Sequence, residues 1–373
     1  MTHTGDRIVT LFLNESESRE ACFGQGLRHL KPLFGRRVES GELVCVLPRI
    51  YARAETWKAL TPGQRHLYEL RALHEIHPGW VFCGLSAAVA HGLNVSYQLL
   101  GKPLASTSSG RPTLHSGLVR GTQVHGDAFT EASGVPVTSL ARTAFDCARS
   151  CGFRDGTAIV DSALRAGLGK DTLLSYAQEQ RGRFRRTDVE HALTTIRFAD
   201  PRAESGGESI ARAAMFELGF AAPELQATVA DPITGTPFRA DFKWTLPDGV
   251  VFGELDGAEK YQNKQMTDGK RPLEVLREER FRESRLTVGG ASVVRFSPET
   301  VSDAAAFDNL LATFGVPKDH EPLIAVPATD EPPVDDVPLE AYGFCQTHFS
   351  PGTSRPNGGV PSFCGFRGQI LPR

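Results

Sequence analysis

Arg239-Ala240-Asp241-Phe242-Lys243-Trp244 and Val250-Val251-Phe252-Gly253-Glu254-Leu255-Asp256-Gly257 are two β-like runs joined through the turn Leu246-Pro247-Asp248-Gly249. Side chains alternate across a strand, so Phe238, Ala240, Phe242 and Trp244 are expected on one face and Arg239, Asp241 and Lys243 on the other. Glu254 and Asp256, two apart, also share a face. A hairpin of these runs gathers three carboxylates. Oxygen donors converging from neighbouring strands suit a divalent cation and a phosphate.

Outward from the hairpin, Gly207-Glu208-Ser209-Ile210-Ala211-Arg212 opens a helix with Ile210, Ala214 and Leu218 on one stripe and Gly219 at its end. A strand over 225–230 and the turn Asp231-Pro232-Ile233-Thr234-Gly235 lead into the hairpin. Pro272 starts a second helix, with Leu273, Leu276 and Arg280 at helical spacing. Gly289-Gly290 stops it, and Ser292–Phe296 is the last strand. Phe281 and Leu286 read as core, and Arg212 is expected to pair with a carboxylate of its own helix.

This α-β-β-β-α-β order, with a Glu in the first helix, an Asp in the second strand and Glu-x-Asp in the third, resembles the PD-(D/E)XK nuclease superfamily. Within it, residues 201 to 300 look like very-short-patch-repair-like endonuclease domains. The resemblance implies that Glu208, Asp241 and Glu254 hold Mg2+ or Mn2+ and that Asp256 occupies the usual lysine position. In the usual scheme that lysine positions the attacking water. Lys260 or Lys243 is the alternative source of that charge, which makes Asp241, Glu254, Asp256 and Lys260 the candidate catalytic set.

Near the start, Leu27, Leu30 and Phe34 share a helical face, while Arg28, Lys31, Arg36 and Arg37 lie elsewhere. Ser40-Gly41 turns the chain into the ribbon Leu43–Leu47 and Pro48–Tyr51, and a basic helix followed by a ribbon is the plan of a winged helix-turn-helix. Pro32 is expected to kink that helix. Gly41, Leu43, Pro48 and Tyr51 resemble the N-terminal domain of AbiEi-family antitoxins, with Arg49 replacing the turn glycine. The resemblance implies duplex DNA and a cognate toxin as partners.

Thr61-Pro62-Gly63-Gln64 supplies an N-cap, a first-turn proline and a capping-box partner for a helix ending before Pro78-Gly79. Leu85–Leu93 and Val137–Asp146 resemble further AbiEi-like segments. His91 and Asp146 read as structural polar groups, and 105–111 as an exposed loop. Arg181-Gly182-Arg183-Phe184-Arg185-Arg186 is the densest basic run, suited to phosphates through Arg183, Arg185 and Arg186, with Phe184 available to stack.

The 373 residues carry 41 Lys and Arg against 44 Asp and Glu, for a net charge of −3. The acidic excess is concentrated in the Pro-rich stretch 319–340, where Glu321, Asp330, Glu331, Asp335 and Asp336 occur with no Lys or Arg. The 7 cysteines form no CxxC pair, which excludes a zinc ribbon or a disulfide framework. Cys147 and Cys151, four apart on a helix, are spaced to face each other and are expected as reduced buried thiols. His66, His74, His77 and His91 lack acidic or thiol partners at ligand spacing, and Cys345, His348 and Cys364 make no ligand set.

No eighteen-residue apolar window and no signal peptide is present, which predicts a soluble cytoplasmic protein without a membrane partner. The expected architecture is α+β and multidomain. It comprises a winged helix-turn-helix-like unit over 1–58, a mixed α/β AbiEi-like middle domain over 59–200, a restriction-endonuclease-like domain over 201–316 and a disordered tail over 317–373. The expected function is DNA binding with metal-dependent phosphodiester hydrolysis. The alternative is a non-enzymatic antitoxin-like repressor with an inactive nuclease fold, and an interaction scaffold is a third reading.

Overall fold

The computed structural model describes residues 2–24, 30–107, 118–121, 124, 129–230, 235–256 and 290–324. Among these the fold is mixed α/β, and no helix is long and apolar enough to cross a membrane. The expectations placed on Arg28, the 231–234 part of the turn, Lys260, the helix from Pro272, Phe281, Leu286 and the cysteines and histidine of the tail lie outside the described residues.

Helix α1 (Thr2–Ser18) packs with α2 (Lys31–Glu39) and a three-stranded sheet of order β1-β3-β2, in which β1 is Phe23–Gly24, β2 is Leu43–Leu47 and β3 is Ile50–Arg53. Phe12, Phe23, Phe34 and Tyr51 form one stack, with successive centroids 5.3, 5.2 and 4.7 Å apart. Pro32 does not kink α2. It lies in the first turn, where the missing N–H has no intrahelical acceptor to lose. Arg49 turns the ribbon at φ +69°, the left-handed conformation that favours the glycine of the related pattern. This ribbon also packs onto the next segment: Cys22, Ile50 and Ala52 share a core with Leu70, Leu73 and Phe82.

The helices α3 (Ala54–Ala59) and α4 (Pro62–Ile76) come next, and the Thr61–Gln64 capping box is formed as its spacing predicts. A five-stranded sheet of order β6-β5-β4-β8-β7 then uses β4 (Trp80–Phe82), β5 (Leu104–Thr107), β6 (Arg120–Gly121), β7 (Phe129–Ala132) and β8 (Val135–Thr138). Residues 104–107 are therefore strand, because Trp80–Phe82 supplies an antiparallel partner to the segment expected as loop. Helix α5 (Gly84–Ala90) leads to this sheet's flank. His91 Nε2 bonds Thr138 O at 2.9 Å, and Asp146 binds Arg142 and Arg149, so both polar groups are structural.

A helical layer of α6 (Leu140–Ser150), α7 (Phe153–Arg165), α8 (Lys170–Glu179) and α9 (Arg186–Phe198) encloses a core of Phe145, Ile159, Leu173, Leu193 and Ile196. Helix α10 (Gly206–Glu217) packs on α7, and the bonds that cross residue 200 include Arg212 to Asp161, Arg154 to Glu217, and Arg165 to the Ala203 carbonyl. Arg212 thus reaches a carboxylate on another helix, while Glu208 of its own helix is held by Glu204, Ser205 and Gln226.

The final sheet has the order β12-β11-β10-β9, from β9 (Glu224–Ala230), β10 (Pro237–Leu246), β11 (Gly249–Leu255) and β12 (Ala291–Phe296), with β11 and β12 parallel and the other pairs antiparallel. Phe242, Trp244, Val251, Val294 and Phe296 face α10 and the helices α11 (Pro298–Ser302) and α12 (Ala304–Thr313). Ala240, expected to share that core, packs instead in a smaller cluster with Phe252. Residues 317–324 are not without structure. They cover the end of α10, where Asp319 N donates to Gly219 O at 3.1 Å and Leu323 N to Glu217 O at 2.7 Å, satisfying carbonyls left open at a helix terminus. A Cβ at Gly219, whose φ is +87°, would meet the His320 carbonyl at 2.5 Å, so only glycine fits there.

Candidate functional site

The β10–β11 ladder ends at the pair Phe242–Gly253. Beyond it the side chain of Asp241 replaces the backbone: its Oδ2 accepts the N–H of Leu255 at 3.0 Å. On the other side, Gln226 of β9 lies between the pairs Ala240–Ala227 and Phe242–Leu225 with φ +53°, an unfavourable conformation for a residue with a side chain. Its Nε2 donates to Glu208 Oε2 at 2.7 Å. Gln226 is a site residue that the alternation pattern missed, since nothing in the sequence marks a left-handed residue in a strand.

Glu208 sits in the first turn of α10, whose N-cap Ser205 accepts the Glu208 N–H at 3.1 Å. Its Oε1 accepts from Ser205 Oγ at 2.8 Å, and its Oε2 also accepts from Glu204 N at 2.8 Å. Gly207 lets the helix start approach β11, for a Cβ there would lie 2.7 Å from Leu255 Cδ2. Burial raises the Glu208 carboxyl above its ordinary value, and the negative charge of Asp241 raises it further, against the hydrogen bonds from Glu204, Ser205 and Gln226. Glu208 and Asp241 are thus electrostatic neighbours, and Asp241 Oδ1 makes no hydrogen bond to another described residue. Glu254, half-buried in β11, is paired in register with Arg295 of β12.

Asp256 and Lys243 stand apart from this pair. Asp256 Oδ1 accepts from Arg295 at 2.8 Å, and Lys243 reaches Glu224 at 2.9 Å. The lysine is held by the neighbouring strand rather than aimed along Asp241. Among the described residues, no group of three or more His, Cys, Asp or Glu is close enough to enclose a metal ion. The oxygen donors of Glu208 and Asp241 are the hard ligands that magnesium and manganese prefer.

The basic candidates divide in the same way. Lys31, Arg36 and Arg49 are exposed. Arg37 is committed: it binds Asp6 at 3.3 Å and Glu42 at 3.1 Å and is mostly buried between α1 and the ribbon. Arg183, Arg185 and Arg186 are exposed around the start of α9, whereas Arg181 pairs with Glu190 at 2.9 Å. Phe184 does not offer a stacking face. It packs edge-on to Phe145, under the guanidinium of Arg149 at 4.4 Å, because the helical core accepts its ring. The turn forms one wall of a cavity of about 490 Å³ lined by Arg181, Phe184, Arg186 and Glu190.

No protein-family model matches the chain. Two proteins of Mycobacterium tuberculosis, from strains CDC 1551 / Oshkosh and ATCC 25618 / H37Rv and each named an uncharacterized protein, are 31% identical over 247 residues, 65% of this chain and 81% of each relative.

Proposed function

The chain belongs to one family with these two mycobacterial proteins, and we propose that it binds duplex DNA and hydrolyses a phosphodiester where β10 and β11 part. The observation that carries this reading is the placement of Asp241, bonded to the Leu255 N–H beside the buried Glu208. Glu208 and Asp241 would supply two carboxylates to magnesium or manganese; Glu254 does not close a three-residue group with them. A cation there supplies Lewis-acid stabilisation of the phosphate and a more acidic bound water. The chain's own residues set the geometry. Ser205, Gln226 and the Glu204 N–H fix both oxygens of Glu208, while Leu255 fixes one oxygen of Asp241 and leaves the other towards substrate.

Asp256, bound to Arg295, favours a second reading, a DNA-binding regulator of the AbiEi-like kind without catalysis. Incubation of the full chain with supercoiled plasmid distinguishes the two. Nicking in magnesium or manganese, lost with chelator and in Asp241→Asn, is expected. Intact plasmid, together with calorimetry that detects no cation at millimolar concentration, would leave the regulator.

The DNA contact has its own test. Arg36→Ala is expected to lower the magnitude of the log K against log salt slope by about 0.9, one phosphate contact. Arg37→Ala should leave the slope unchanged and lower stability, because Arg37 is already bound to Asp6 and Glu42. A slope unaffected by Arg36→Ala moves the footprint elsewhere.

A further inference from the structure

Cys147 lies in the last turn of α6 and Cys151 caps it. The Cys151 N–H donates to Cys147 O at 2.9 Å, closing the final helical hydrogen bond. Residues so spaced have Cα atoms roughly 6 Å apart, within the range of about 4.4–6.8 Å that a disulfide spans. Cys151 packs against the core cluster that holds Cys147, so the two side chains share one side of the helix end. Cys147 is buried and Cys151 half-buried, which gives the pair one accessible and one protected sulfur. The same turn carries Arg149, the residue stacked on Phe184 of the basic turn.

We infer that Cys147 and Cys151 are a redox-active dithiol that a hydroperoxide closes to a disulfide. Cys151 is the attacking sulfur. Cys151 is also the more accessible of the two, and the neighbouring Cys147 lowers its thiol below the ordinary value, while Cys151 and burial raise Cys147. Its thiolate attacks the peroxide, the O–O bond breaks, and an S–O bond forms as alcohol or water leaves. Cys147 then attacks the sulfenic sulfur; the S–S bond forms, and hydroxide departs with the Cys147 proton as water. Two thiols are oxidised by two electrons in all, and one hydroperoxide is reduced.

Tryptic cleavage after Arg149 separates the two cysteines, so the disulfide is read directly as a link between peptides 143–149 and 150–154. The folded full chain is treated with hydrogen peroxide, alkylated and digested. The expected main product is the linked pair, short of the two thiols by two hydrogens and restored by a dithiol reductant. Exposed Cys45 serves as the internal measure of undirected oxidation. In Cys147→Ser, Cys151 should be trapped as its sulfenic acid by dimedone. The inference is overturned if wild-type Cys151 goes to sulfinic acid without the link, if it links to Cys83 instead, or if Cys45 oxidises while Cys151 stays reduced. The wild-type mapping decides the matter even if the variant does not fold.

Discussion

Arg212→Met is expected to destabilise the protein by about 3–5 kcal/mol, the cost of leaving one member of a buried ion pair alone. Asp161 is fully buried in α7 and accepts from Arg212 at 2.9 and 3.2 Å, with the Asp200 N–H at 2.7 Å as a further donor. Burial pushes the Asp161 carboxyl above its ordinary value and the Arg212 charge pulls it back, so the variant loses the larger opposing influence. Methionine retains apolar contact with Phe198, over which the guanidinium now lies at 4.2 Å. The loss therefore reports charge rather than volume. A urea midpoint measured at neutral pH checks it, and adding Asp161→Asn to the variant should recover part of the loss. A change below about 1 kcal/mol, the size of an exposed pair, would contradict the buried pairing.

Raising the pH from about 6.5 to 8 should cost the wild-type protein about 2 kcal/mol, at about 1.4 kcal/mol per pH unit, and Glu69→Gln should remove that loss. Burial raises Glu69 from an ordinary 4.5 to about 8 and lowers His66 from 6.5 to about 4. His66 Nε2 is 2.8 Å from Ser86 Oγ, and its Nδ1 is 3.6 Å from Glu69. The folded chain keeps a proton on Glu69 that the unfolded chain releases above 4.5, so that contribution is lost as pH rises through about 8. His66 works in the opposite direction: its contribution is present above 6.5 and is lost as pH falls towards about 4. The two slopes cancel between about 4.5 and 6.5, and only the Glu69 loss remains above. Denaturant titrations at pH 6.5 and 8 read the difference. Equal stability of the wild type at both values would show that Glu69 ionises freely in the fold.

Much of the local architecture was legible because its causes are local. Alternating apolar residues and the Leu246–Gly249 turn specify the β10–β11 hairpin, and the Thr61-Pro62-Gly63-Gln64 spacing specifies the start of α4. Gly219 after Leu218 ends α10 through a left-handed exit, as its place in the pattern predicts. The acidic residues named from the sequence are on these elements, and Glu208 and Asp241 do come within electrostatic reach.

What each polar side chain binds was not legible. Arg212 takes Asp161, Lys243 takes Glu224, Arg37 takes Asp6, and Gln226 takes Glu208. Phe184 looked free to stack but is drawn beneath Arg149, and residues 317–324 looked unstructured but close the open end of α10. Sequence alone determined the β10–β11 hairpin, the capping box of α4 and the glycine exit of α10, because hydrophobic period, fixed φ preferences and nearby side-chain oxygens act over a few residues. Only the tertiary structure decided which charges are spent in ion pairs and which remain for a ligand. Burial forces each polar group to find a partner, and that partner belongs to whichever distant element packing brings alongside.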